Sequence, residues 1–166
     1  MNYFQGNAGH PRHLSVGAVM ANDEGLVRAH YYPEDMPVGF WKDRGVRDFY
    51  ILMRETVNPN EPLEAALARG LAEEFNAKAR IEDYLGAIVS TAYDDRDGGH
   101  VPFQKATLYF LCQYEGEVGA RRDLSDKEGN STLVWKRPEE LIELMRGQSE
   151  RFGRGDLDES SILALL

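Results

Sequence analysis

With 166 residues, 42% of them hydrophobic and 28% charged, the chain has the length of one domain and the composition of an ordinary globular protein, which excludes a mainly disordered chain. Its formal charge of −9 disfavours broad association with nucleic acid, because such binding needs many lysines and arginines against phosphate. No apolar run approaches the roughly eighteen residues of a membrane span, the polar start from Met1 to His13 lacks a signal-peptide core, and the single Cys112 has no internal disulfide partner; together these point to a cytoplasmic protein that folds alone or as a homodimer.

One domain is expected over 1–166, with residues up to about 12 as a flexible or strand-extending N-terminus. Tyr3-Phe4-Gln5-Gly6 resembles a protease-cleavage scar and is given no functional weight. Leu14 to Met20 is a short β-prone run, followed by the turn Asn22-Asp23-Glu24-Gly25 and by Leu26 to Tyr32, which predicts an early hairpin. Pro33 to Arg47 mixes Pro, Gly, Trp and charge without a period and predicts a long loop near a site, after which Asp48 to Met53 reads as one buried strand. Glu61 to Asn76 is the clearest helix, with Pro62 allowed in its first turn and Asn76 as its end signal. Ile81 to Ala92 and Val101 to Tyr114 are extended, separated by the acidic turn Asp94 to Gly99. Ser131 to Lys136 is another strand, and Pro138 to Met145 and Leu157 to Leu166 read as closing helices, the last a core or dimer contact. Strands around one central helix and finished by helices predict an α/β fold, a mixed sheet covered on both faces.

On a helical wheel starting at Leu63, Leu67, Leu71, Ala66 and Gly70 form a core-facing stripe. Glu74 lands at about 20°, inside that stripe, and Glu73 at about 280°, on its edge. An ionised carboxylate at a core-facing position costs several kcal/mol unless it is paired or holds a metal, so Glu74 calls for a partner. Two hard oxygen donors close together on a rigid helix suit Mg²⁺ or Mn²⁺, which would reconcile an acidic protein with a phosphorylated small molecule. The alternative at this stage is that Glu74 lies past the last buried turn and is solvated. Arg69 and Glu73, four apart, can pair on the helix surface, and Glu61 suits the positive end of the helix.

The stretch Asn60 to Ala77, NEPLEAALARGLAEEFNA, resembles the Nudix box, G-x5-E-x7-R-E-U-x-E-E-x-G-U, in which U is a bulky aliphatic residue: Glu61, Arg69, Leu71, Glu73 and Glu74 fall in register, and Val57-x-Pro59 fits the lead-in. The Ser15 to Val19 and Lys105 to Phe110 strands and Trp135 before Pro138-Glu139-Glu140-Leu141 extend the likeness over most of the chain. The resemblance implies a Nudix-type α/β/α sandwich with a mixed β-sheet and a divalent-metal-dependent hydrolase that cleaves a pyrophosphate linkage in a nucleoside-diphosphate-linked substrate with water. On the same resemblance Glu73 and Glu74 hold Mg²⁺ or Mn²⁺, and Arg69 with Glu61 braces helix against loop, the four being the catalytic set. Three positions depart from the pattern: Glu55 stands for its first glycine, Gly70 for the glutamate after the arginine, and Asn76 for its last glycine. The Gly70 departure touches a glutamate that usually binds metal or acts as base, and it favours the alternative of a catalytically impaired module that binds a phosphorylated metabolite. Glu55 suggests a rebuilt loop, while Asn tolerates the left-handed conformation of a helix end.

A replacement ligand or base would come from Asp94, Asp95, Asp97, Glu115, Glu117, Asp126 or Glu128, and Arg44, Arg47, Arg54 and Lys105 are candidates to meet phosphate. His10, His13 and His100 lack companions at zinc spacing, Cys112 reads as an inert core thiol, and Gly98-Gly99 alone is no phosphate loop. Pro33 to Arg47 and Asp94 to His100 are the loops expected to select the substrate.

Overall fold

A computed structural model describes residues 4–6, 9–37, 41–94, 101–119 and 131–166, the Asp94 side chain excepted. The early hairpin forms as β1 (Arg12–Ala21) and β2 (Val27–Tyr32), closed by the Asn22 side chain, which accepts the backbone N–H of Glu24 and of Leu26 at 3.0 Å. The two strands pair only at Ala21 and Val27 and then part. The edge that β2 leaves on β1 is taken by β4 (Met53–Thr56), through the antiparallel register Ser15↔Thr56 to Ala18↔Met53. The segment expected as one strand from Asp48 to Met53 is therefore two, because β3 (Phe49–Ile51) pairs with β2 and the chain changes partner at Leu52. Glu55, expected in a loop, is a strand residue of β4.

The central helix, α1 (Leu63–Phe75), is shorter than expected at its start: Pro62 stays extended as its N-cap, so Glu61 precedes the helix. Asn76 ends it in the left-handed region (φ 49°, ψ 39°) with its N–H on the Leu71 carbonyl. From there β5 (Ala77–Asp94) and β6 (Val101–Glu117) run as a long antiparallel hairpin, and β1 pairs in parallel over its whole length with Gln104 to Gln113 of β6. With β7 (Thr132–Lys136) against β2, the result is a seven-stranded mixed sheet of order β3-β2-β1-β6-β5, with β4 and β7 beside β1 and β2.

The two-residue alternation of β1 assigns the helices to faces. Val16, Ala18 and Met20 pack with Leu67, Leu71 and Phe75 of α1, whereas Val19 joins Leu141 and Met145 of α2 (Pro138–Phe152) and Ile162 and Leu163 of α3 (Ser160–Leu163) on the other side. Each large apolar side chain so buried stabilises the fold by about 1.5–3 kcal/mol. Helices on both faces of a mixed sheet are the sandwich the sequence predicts. The C-terminus differs: instead of one helix over Leu157 to Leu166, a 3₁₀ turn at Gly155–Leu157 and the four-residue α3 form, because Asp158 is extended, Glu159 is non-helical, and the Glu159 carboxylate is drawn to the Leu52 N–H of the sheet. Leu165 and Leu166 remain exposed. No helix among the described residues is long and apolar enough to cross a membrane.

Candidate functional site

Arg69 organises one side of α1. Its Nε and Nη2 donate to Glu61 Oε1 (3.0 Å) and Oε2 (2.9 Å), Nη2 also donates to the Thr56 carbonyl (2.9 Å), and Nη1 lies 3.0 Å from Glu55 Oε1 and 3.8 Å from Glu73 Oε2. The fork-to-fork contact with Glu61 is the strong, oriented form of an ion pair. Its physical consequence is mutual: the hydrogen bond to Glu61 raises the Arg69 pKa, and the same bond, helped by the Asn58 N–H at 2.8 Å, holds Glu61 below the usual carboxylate range. Arg69 thus ties helix to loop and to strand β4, as the resemblance implies for Arg69 and Glu61.

Glu73 and Glu74 are consecutive but diverge, because neighbours on a helix point about 100° apart. The Glu73 side chain is 60% exposed at the Arg69 rim. Glu74 is buried, with Oε2 2.9 Å from His30 Nε2, while His30 Nδ1 lies 2.7 Å from Ser131 Oγ. Toward an ionised carboxylate, which only accepts, Nε2 is the donor of that contact. Beside it, Arg28 Nη1 donates to the Phe75 carbonyl at the C-terminal end of α1 (2.9 Å), where a cation suits the helix dipole. The buried carboxylate in the core stripe therefore has its partner, and the partner is a histidine. Among the described residues no three of His, Cys, Asp and Glu stand close enough to enclose a metal ion.

Glu74 also reaches the wall of a cavity of about 610 Å³. Arg44, Arg54, Arg154 and Lys105 supply positive charge to that wall, and Trp41, Tyr93 and Phe103 supply flat apolar surface. Arg154 is forked to Asp156 at 2.6 and 3.0 Å. Burial of Asp156 opposes its ionisation, yet the Arg154 contact, reinforced by Arg54, lowers its pKa on balance. Arg54 itself is buried 3.6 Å from Glu159: desolvation of the guanidinium works to lower its pKa, but the attraction of Glu159 together with that of Tyr109, Asp156 and Tyr32 raises it on balance. His13, set aside as a zinc ligand, lines the same cavity, stacked at 5.8 Å on Phe103 and 3.1 Å from Thr56 Oγ1. The segment dismissed as a cleavage scar packs here too: Phe4 accepts the Leu14 N–H at 2.7 Å, and Gly6 lies against the Phe103 ring.

The other candidates separate cleanly. Arg44, Arg54 and Lys105 reach the cavity, but Arg47 pairs outside it with Glu34 at 3.7 Å. Glu115 faces Lys78 and Arg80, and Glu117 faces Arg28. Asp95, Asp97, His100, Asp126, Glu128 and the Asp94 side chain lie outside the described residues. Cys112 is buried, which pushes its thiol up to about 12 and leaves it inert.

A family model for the NUDIX domain matches residues 11–154, spanning the helix, the Arg69 contacts and most of the cavity wall. The chain belongs to the Nudix family. Its fold is shared with a solved NUDIX hydrolase from Nitrosomonas europaea, at a TM-score of 0.54 and 16% identity over 80% of this chain and 77% of that one. The solution structure of the E. coli ORF135 protein is similar at a TM-score of 0.50 and 19% identity, over 79% and 77% of the two chains. No curated protein matches the sequence. Within the Nudix frame, the residues that sequence reasoning missed are His30 and Ser131 behind Glu74, and Arg154, Asp156 and Glu159 near the C-terminus. His30 carried one usable signal: it shares a face of β2 with Arg28, the α1 side, opposite Val27 and Ala29.

Proposed function

We propose that this Nudix protein is a divalent-metal-dependent hydrolase that cleaves a pyrophosphate linkage in a nucleoside-diphosphate-type substrate. The observation that carries the reading is Glu74: a buried carboxylate in the apolar stripe of a helix, at the wall of a cavity that combines guanidinium and ammonium groups with aromatic rings. Such a lining suits a ligand with a flat ring at one end and phosphate at the other. The donor set fits a hard cation in kind, since the acids on and facing α1 offer only carboxylate oxygen. Glu74 would hold Mg²⁺ or Mn²⁺ from the cavity side and Glu73 from its exposed rim position.

When bound, the ion lowers the pKa of a coordinated water and offsets phosphate charge. The chain supplies the rest. His30 and Ser131 fix the orientation of the Glu74 carboxylate, and Arg69, Glu61 and Thr56 hold α1 against the loop and β4 so that both acids keep their places. Arg44 and Lys105 meet phosphate oxygens, while Trp41, Tyr93 and Phe103 exclude water from the ring end. The test is phosphate release from a panel of dinucleotide polyphosphates, nucleotide sugars, ADP-ribose and nucleoside triphosphates with Mg²⁺ or Mn²⁺. Glu73→Gln and Glu74→Gln are each expected to lower turnover by about a hundredfold or more, and full turnover in both variants would remove the reading. Gly70 favours a second reading, a module that binds a phosphorylated metabolite without cleaving it, which predicts saturable quenching of Trp41 fluorescence and no product.

A further inference from the structure

Strand β5 ends the sheet, and among the described residues its one strand partner is β6. The outer edge of such a strand presents a row of backbone donors and acceptors, which proteins usually guard with charge, proline or bulges. The first part of β5 is guarded in this way: Lys78, Arg80, Glu82 and Asp83 lie there, and the register shifts at Lys78/Ala79, Ile81/Asp83 and Tyr84/Gly86. The second part is not. Its ladder with β6 runs regularly from Gly86↔Tyr109 to Ala92↔Phe103, and no charged residue or proline occurs between Leu85 and Tyr93. In the middle of that run stands Val89, the most exposed large apolar side chain among the described residues at 65%, with Tyr84 (51%) before it and Tyr93 (49%) after it.

These three residues are placed symmetrically. Tyr84 lies opposite Phe110, Val89 opposite Ala106 and Tyr93 opposite Pro102, and Phe110 and Pro102 are each four residues from Ala106. The bulge creates the symmetry, because the extra residue before Gly86 (φ 148°) takes up the one position by which Tyr84 is further from Val89 in sequence than Tyr93 is. The Tyr84 ring packs on Phe110 at 5.4 Å, on the α1 face of the sheet, and steps of four keep Val89 and Tyr93 on that face. An edge that reads the same about its centre fits an antiparallel copy of itself. We propose that the outer edge of β5 pairs with β5 of a second copy of this chain about a two-fold axis at Val89, joining the two sheets. In that register Val89 meets Val89, Ala87 meets Thr91, Gly86 meets Ala92, and each Tyr84 meets a Tyr93, an aromatic cross-strand pair. Charge favours the same occupant: each copy carries −9, and the neutral run keeps charged side chains out of the paired stretch. An edge built for an extended peptide of another protein has no need of a spacing symmetric about its centre. Thr91, Ala92 and Tyr93 also line the cavity, so the second copy stands at its outer rim. This contact is independent of the metal-dependent reading above.

Sedimentation equilibrium of the full chain across the micromolar range tests the contact. The parent chain is expected to be a dimer. Val89→Lys sets two ammonium groups against each other on the axis and is expected to weaken the dimer by about tenfold or more. Because Val89 is exposed in the single chain, the circular dichroism spectrum of that variant is expected to match the parent, which separates loss of the contact from loss of the fold. Leu165→Lys, at an exposed apolar position away from β5, is expected to stay dimeric. Cysteine variants test the register under mild oxidation with copper–phenanthroline, and the buried Cys112 does not compete. Val89→Cys is expected to link two copies by a disulfide, since residues opposite each other across an antiparallel pair have Cβ atoms about 4.5–5.5 Å apart. Ala87→Cys is expected to stay unlinked, because its partner is Thr91 and not its own counterpart. A parent chain that is monomeric at every concentration, or a dimer that survives Val89→Lys, overturns the proposal. A dimer in which Ala87→Cys links as readily as Val89→Cys, or in which Val89→Cys does not link, overturns the register. Should Val89→Lys fail to fold, the two cysteine variants still decide.

Discussion

A buried acid needs a donor, and a semi-exposed one gains most from a cation that is held in place. Glu61 shows the second case. Its hydrogen bond to Arg69, then the Asn58 N–H, lower its pKa in the folded chain, so its contribution to stability is present above the unfolded carboxylate value of about 4.3 and is lost as pH falls through the lower folded value. Acid unfolding followed by circular dichroism should therefore show a shallower loss of stability below about pH 4.3 in Glu61→Gln than in the parent chain. The role of this residue was legible in the sequence because its motif spacing from Arg69 survives intact. The partner of Glu74 was not: the stripe showed that a donor was needed, but His30 comes from a strand 44 residues away and Ser131 from a segment 101 residues from His30. A helical wheel describes one element and carries no information on what faces it.

Among the elements, α1 followed its periodicity closely, with buried Ala66, Leu67, Gly70, Leu71 and Glu74 on the expected face. Its ends depended on single residues. Asn76 holds a left-handed conformation, and its side-chain oxygen is buried without a hydrogen-bond partner among the described residues. Asn76→Gly removes both the Cβ strain and the unsatisfied oxygen, and urea titration should show a gain of about 1 kcal/mol, whereas β-branched Asn76→Val should lose about 1–2 kcal/mol. The split of β3 from β4 was hidden because Asp48 to Met53 is uniformly apolar after its first residue, and an apolar run does not say where a strand changes neighbour. The C-terminal segment misled for a related reason. Its leucines and isoleucine are spaced for a helix, but Glu159 serves contacts with distant strands that no local pattern records.

For the molecule as a whole, Glu159 is the tie between the C-terminus and the sheet. It is 1% exposed; its Oε2 accepts the Leu52 N–H at 2.7 Å, at the point where β3 gives way to β4, and its Oε1 takes the Tyr109 hydroxyl and lies 3.6 Å from Arg54. Burial, followed by the Glu159 charge, pushes the Tyr109 hydroxyl well above its ordinary pKa, so it stays a donor at any working pH. Removing the acid leaves the Arg54 guanidinium buried without its counter-charge, and Glu159→Ala should cost about 3–5 kcal/mol in chemical denaturation, with amide exchange of Ser160–Leu163 accelerated ahead of the sheet. Gln148 reinforces the same attachment by accepting the Tyr50 N–H at 2.8 Å and donating to the Leu157 carbonyl at 2.8 Å. The cavity wall contributed by Arg154 and Asp156 depends on this attachment.

The parallel ladder of β1 on β6 also sets a timetable for synthesis. Arg12 pairs with Gln104 and Ala21 with Gln113, so one whole edge of the earliest strand waits on a partner that leaves the ribosome roughly ninety residues later. Its other edge is met sooner, when Met53 to Thr56 emerge. In that interval a strand containing Val16, Ala18, Val19 and Met20 is half-paired on the nascent chain, and closure of so distant a contact is slow. A stall in translation between β4 and β6 would prolong that exposure and invite association between unfinished copies.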